Sequence, residues 1–170
     1  MPRVTKTIIP EFSGKTEADR YYLSLALEER AKSDDPKAQL IMQSGVGAVI
    51  VGSEGVIAQS ANVIPPALKL HYDFGNNTIS ETERYHFIEH AERAAIFSAL
   101  LNKYELNEST IYCTRFPCSD CARAIVWAGV KRAVFSTGYS GESRWIEAQR
   151  AAVNILRNSN VTVRILNMAK

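Results

Sequence analysis

The sequence predicts an α/β protein: a three-layer α/β/α sandwich around a mixed five-stranded sheet. Three observations lead there. Apolar, β-rich runs from Gly45 to Val51 and from Val56 to Ala61 flank the turn-forming stretch Gly52-Ser53-Glu54-Gly55, which reads as a hairpin. From Glu89 onward, helical and strand patterns alternate. Strand–helix–strand succession implies parallel neighbours joined by right-handed crossovers, with helices covering both sheet faces. Finally, 170 residues, 46% hydrophobic and 22% charged, fill one domain with a continuous core.

The elements follow in order. Residues 1–15 read as an irregular arm of that single domain. Helical character starts near Glu17, where Tyr21, Leu23, Ala26 and Leu27 make an apolar stripe, and the run Lys32-Ser33-Asp34-Asp35-Pro36 ends it. After the hairpin, residues 63–86 hold two prolines, an Asn-Asn pair and several charges, and read as a long loop. Such a loop in a compact domain is more often functional than idle, and its place just before the motif below favours a substrate-covering role. The spacing then predicts a helix from about Glu89 to Asn102 and a strand from Ser109 to Thr114 with Ile111 and Cys113 on one face. A helix from about Cys118 to Ala128, a strand from Arg132 to Ser136, a helix from Glu142 to Asn158 and a strand from Val161 to Leu166 complete the pattern.

Composition bounds the function. Twenty Lys and Arg against eighteen Asp and Glu leave a net charge of +2, too mild for a dedicated nucleic-acid binder. No apolar run approaches membrane-spanning length, and the start MPRVTKTIIPEF does not read as a secretion signal. Three cysteines are not a disulfide framework in a chain of this size. The spacing of Cys118 and Cys121 points instead to metal or redox chemistry in a reducing compartment, and so to the cytoplasm.

Two short motifs carry chemistry: His90-Ala91-Glu92 and Pro117-Cys118-Ser119-Asp120-Cys121. Zinc accepts imidazole nitrogen and thiolate sulfur, and three protein ligands with a fourth place for water make a catalytic site. His90, Cys118 and Cys121 supply three. Cys113 is expected in the core, His71 lies mid-loop, and His86 falls before the predicted helix. Cys118 and Cys121 share a face in a first helical turn, where free N–H groups favour thiolate. His90 and Glu92, two apart, would diverge in mid-helix, but at a helix start both can bend toward a target beyond its end. Two helix starts facing one another across a zinc ion satisfy both spacings. Glu92, unused as a ligand, is then placed to move protons between water and substrate.

Other readings stand beside this one. A Cys-x-x-Cys pair alone could be redox-active or half of a structural zinc knuckle. The knuckle lacks its second pair, and the redox reading leaves His90 and Glu92 unexplained. Editing of nucleic acid would need a basic face and aromatic platforms, which the neutral charge balance argues against. A non-catalytic zinc-stabilised protein would have no use for Glu92.

With these motifs in the order His-x-Glu then Pro-Cys-x-x-Cys, the sequence resembles the zinc-dependent cytidine and deoxycytidylate deaminase superfamily over roughly Gly45 to Leu166. The stretch Phe116-Pro117-Cys118-x-x-Cys121-Ala122 and the ending from Trp145 to Leu166 are most similar to its deoxycytidylate (dCMP) deaminases. The resemblance implies the cytidine deaminase-like fold, zinc as cofactor, and hydrolytic deamination of a cytosine nucleotide, dCMP to dUMP. The alternative within the family is another small amino-substituted base or nucleoside. It also implies a homo-oligomer, for which Trp127 and Trp145 are candidate anchors. The family's Asn-Gly-x-Pro loop aligns with Asn62-Val63-Ile64-Pro65, making Asn62 the candidate contact to the sugar hydroxyl. Ala91 and Arg115 complete the candidate substrate contacts, and Lys69, Arg84 and Arg93 are further cations near the predicted mouth. Three positions depart from the family pattern: Val63, Ala94, and Pro66-Ala67-Leu68-Lys69, which replaces an arginine-bearing stretch. All three lie where sugar and phosphate would be read.

Overall fold

A computed structural model describes residues 13–41, 44–69, 71, 82–138 and 143–168. Its elements are α1 (Lys15–Glu29), α2 (Pro36–Leu40), β1 (Gly47–Gly52), β2 (Gly55–Ala61), α3 (Arg84–Phe87), α4 (Ala91–Leu101), β3 (Thr110–Cys113), α5 (Ser119–Trp127), β4 (Arg132–Phe135), α6 (Ser143–Arg157) and β5 (Thr162–Ile165). The five strands form one sheet in the order β2-β1-β3-β4-β5. β1 is antiparallel to both β2 and β3, whereas β3, β4 and β5 run parallel. The sheet is therefore mixed, as the hairpin followed by β-α-β-α-β predicts.

Strand periodicity splits the core into two layers. On one face Ala48, Ile50, Ile111, Cys113, Ala133 and Phe135 pack with Ala95, Ile96 and Ala99 of α4, Ala122 and Ile125 of α5, and Ala152 and Leu156 of α6. On the other, Val49, Tyr112 and Val134 pack with Tyr22, Leu23 and Ala26 of α1. Ile111 and Cys113 share a face as expected, and Cys113 is a buried core thiol whose pKa burial pushes well up. Gly47 sets the approach of α1. A Cβ there would lie 2.0 Å from the Ala26 carbonyl oxygen, so no larger residue lets α1 close onto β1.

Three elements differ from the sequence expectation. The run ending at Pro36 does finish the first helix, but it also starts another. The Asp35 side chain accepts a hydrogen bond from the Lys37 N–H at 2.9 Å, and Pro36 takes the first helical position of α2. Residues 63–86 are not uniformly loop: a 3₁₀ turn spans Pro66–Leu68, and α3 begins at Arg84. α4 starts at Ala91 rather than Glu89, because the Glu89 backbone is taken by an antiparallel bridge with Val63 (3.0 and 2.8 Å). Most of the N-terminal arm, together with residues 72–81 of the loop, lies outside the described residues, and Lys15 already belongs to α1. Among the described residues no helix is long and apolar enough to cross a membrane.

Candidate active site

The site lies beyond the C-terminal ends of β2, β3 and β4. Asn62 follows β2, Arg115 and Phe116 follow β3, and Thr137 and Gly138 follow β4. α4 and α5 point their N-termini into it. His90 is the N-cap residue of α4 and Cys118 that of α5, both in extended backbone. That conformation turns each side chain back past the helix end, while Glu92 and Cys121 enter from the first turns.

His90, Cys118 and Cys121 converge, with their ligand atoms all within 4.8 Å of one another. His90 Nδ1 lies 3.5 Å from Cys118 Sγ and 3.4 Å from Cys121 Sγ. Tetrahedral bonding at roughly 2.3 Å to sulfur and 2.0 Å to nitrogen places N and S about 3.5 Å apart, so the donor set has the dimensions of a zinc site. Its chemistry agrees, since the three groups already share protons. Cys118 is held down at about 4 by the hydrogen bond from the Cys121 thiol and by His90, against the effect of burial. The same hydrogen bond and burial push Cys121 well up. His90 is raised by its hydrogen bond to Cys118. His90, Cys118 and Cys121 would hold a divalent cation in place of those protons. His71 and His86 are exposed and outside this cluster.

Glu92 is 3% exposed, and burial raises its pKa, opposed by the charge of His90. It shares one cavity of about 790 Å³ with His90 and Cys118. That volume suits a nucleotide-sized ligand. Asn62, Ala91 and Arg115, the candidate substrate contacts, all line it. Asn62 is buried, and its Oδ1 accepts from the Val46 N–H at 2.8 Å, so the side chain also pins the strand end.

The other cations separate. Arg84 lines the cavity, 2% exposed, its Nη1 3.0 Å from Asp35 Oδ1 and its Nη2 donating to the Tyr85 hydroxyl at 2.7 Å. Lys69 pairs with Asp34 at 2.7 Å. Arg93 turns to Glu89 and Asp120. Sequence reasoning missed Lys37, Tyr85 and Gln149, which also line the cavity. Trp145 lines it too, its ring edge-on to His90 with centroids 5.9 Å apart. The Asp35-Pro36 helix start could have placed Lys37; nothing local marks the α6 residues, which reach the cavity through tertiary packing.

A sandwich of this topology with a His-Cys-Cys cluster and a buried carboxylate at two helix starts defines a zinc-dependent hydrolytic deaminase. Residues 16–137 match the cytidine and deoxycytidylate deaminase zinc-binding region, and the chain belongs to that family. The human deoxycytidylate deaminase is 28% identical over 138 residues, covering 79% of this chain and 73% of its own. The dCMP deaminase of cyanophage S-TIM5 has the same fold. Its apo crystal structure superposes with a TM-score of 0.66 at 22% identity, covering 90% of this chain and all of that one. Its complex with dCMP and dUMP gives 0.61, also at 22% identity, covering 89% and 99%.

Proposed function

We propose that this protein deaminates dCMP to dUMP, with His90, Cys118 and Cys121 as zinc ligands and Glu92 as the proton carrier. The observation that carries the substrate reading is the lining of a single cavity. Lys37, Arg84 and Arg115 share it with His90 and Glu92, so a phosphate can be held while a ring meets the metal. The likeness to human deoxycytidylate deaminase supports the same reading.

Zinc, when bound, lowers the pKa of water toward neutrality and so supplies a nucleophile at neutral pH. The chain's own groups do the rest. Glu92 takes a proton from the attacking water, delivers it to the ring nitrogen, and then supplies one to the departing amine. Its buried position keeps those protons from bulk solvent. The overall step consumes one water and releases ammonia. Asn62 spends its Oδ1 on Val46, which leaves its amide nitrogen to donate to a sugar hydroxyl. Ala91, fully buried between His90 and Glu92, adds a small wall against the ring, and Trp145 adds an aromatic one. The test is dCMP against deoxycytidine, cytosine and guanine at equal concentration. A charge-assisted contact is worth ~1.5–3 kcal/mol, so dCMP should exceed deoxycytidine at least about tenfold in kcat/KM. Equal rates would remove phosphate from the reading, and turnover of guanine alone would move the protein to the alternative of another amino-substituted base.

The working unit is a homo-oligomer, and its contact face is the outside of α4 and α5. These helices are neighbours. Phe97, Leu100 and Leu101 follow one another at helical spacing on α4, and Trp127 ends α5; Leu101 is 83% and Trp127 94% exposed. Together they expose on the order of 500 Å² of apolar surface, at the top of the range for a monomer and enough to form the centre of an ~800 Å² interface. With mixed charges at its edge (Arg93, Arg123 and Asp120), the face complements a second copy better than a strongly charged partner such as nucleic acid. Three free cysteines, two of them in a metal cluster, fit the reducing cytoplasm.

A further inference from the structure

We infer that Arg93 is a positioning residue for the zinc site: bridging Glu89 and Asp120, it fixes the start of α4 against the start of α5 and so sets how tightly His90, Cys118 and Cys121 hold zinc. The ligands come from two separate helices, and a tetrahedral site tolerates only about 0.2 Å of error in each bond. Some contact must therefore register one helix start on the other.

Arg93 is built for this. It lies three residues beyond His90, in the first turn of α4, with its side chain 23% exposed while Glu92 is buried. Its Nε donates to Glu89 Oε1 at 2.5 Å, and its Nη2 pairs with the same oxygen. Its Nη1 lies 3.3 Å from Asp120 Oδ2, and Asp120 sits between the two cysteine ligands. Arg123 holds the other Asp120 oxygen at 2.5 Å. Glu89 reaches further: its Oε1 accepts the His90 backbone N–H at 2.9 Å, and its own backbone is bridged to Val63, next to Asn62. One planar guanidinium thus joins the His90 half of the site to the cysteine half. Only an arginine fork can contact both carboxylates in fixed directions; a lysine is a point charge. Partly exposed ion pairs of this kind contribute little to folding by themselves, so the effect belongs in metal affinity.

The test starts from zinc-loaded protein and measures the zinc dissociation constant by competition with a chromophoric chelator. Outer contacts to metal ligands are typically worth 10–100-fold in affinity. Arg93→Met should therefore bind zinc about 10–100-fold more weakly, Arg93→Lys should fall between it and the wild type, and all should keep wild-type circular dichroism at saturating zinc. Asp120→Asn should weaken binding comparably, and the double variant Arg93→Met/Asp120→Asn should be no weaker than the weaker single variant. The d–d absorption of the cobalt(II)-substituted protein should change in Arg93→Met. Wild-type affinity in Arg93→Met, or losses that multiply in the double variant, would overturn the assignment. Should Arg93→Met not fold, wild-type affinity in both Arg93→Lys and Asp120→Asn would do so. No substrate enters these measurements, so the dCMP reading can fail without touching them.

Discussion

Arg132 on β4 grips Asp19 on α1 with both prongs of its guanidinium, Nη1 to Oδ1 at 2.7 Å and Nη2 to Oδ2 at 2.6 Å. The carboxylate is 1% exposed and also accepts from Arg164 Nη1 at 2.7 Å and from the Tyr112 hydroxyl at 3.1 Å. Burial pushes the Asp19 carboxyl up, but Arg132, Tyr112 and Arg164 together pull it further down, and the net direction is below the ordinary 3.8. The unfolded chain therefore takes up this proton first on acidification. The stabilisation is complete above pH ~4 and is lost as pH falls through the lower folded pKa. Asp19→Asn should cost about 1–3 kcal/mol at pH 7 by urea denaturation, with the gap to wild type closing below pH ~4. A gap independent of pH would mean that Asp19 serves by shape rather than by charge.

Metal analysis of protein prepared without chelator should find one zinc per chain, and Cys118→Ala should lose it. Because binding energy is shared with folding, the same variant should melt lower. Iron in place of zinc, or full zinc occupancy in Cys118→Ala, would contradict the ligand set.

Glu92→Gln should keep zinc and fold and lose roughly 10²–10⁴-fold in kcat, the usual contribution of a positioned general acid–base. Retained activity would reduce Glu92 to a helix-start carboxylate.

Arg84→Met should bring kcat/KM for dCMP down toward that for deoxycytidine while leaving the nucleoside rate nearly unchanged. Arg84 is held in place by Asp35 and Tyr85, so its loss removes one charge from the cavity wall without opening the zinc end. If both substrates fall equally, Arg84 supports the wall and reads no phosphate.

Trp127→Asp should shift the protein to monomers in sedimentation velocity at micromolar concentration. A side chain 94% exposed leaves no hole when replaced, so an unaltered circular dichroism spectrum is expected alongside. Wild-type sedimentation in the variant would place the interface elsewhere.

The zinc cluster was legible in the sequence because its information is local. His90 and Glu92, and Cys118 and Cys121, are each within one helical turn, and both pairs open helices, a condition that apolar periodicity and a proline can signal. The hairpin and the β-α-β succession were legible for the same reason. Arg84 shows where that ends. It lies in a run read as loop, and its burial depends on Asp35, whose helix start was hidden by reading Asp-Pro only as a stop. Trp145 illustrates the tertiary case: its helix is legible in the sequence, but which of its faces meets His90 is decided by how α6 packs beside α5 on the same side of the sheet.

The bridge between Val63 and Glu89 has a consequence for how the chain tolerates changes of length. It pins both ends of the intervening chain beside Asn62 and His90, so these two positions are tied to one another independently of the length of what lies between. A change of length between Lys69 and Thr82 would leave that tie in place and act on the cavity through Arg84, which lies in its wall. Contacts to a substrate can then be altered from one stretch of chain while His90, Glu92, Cys118 and Cys121 keep their places at the starts of α4 and α5.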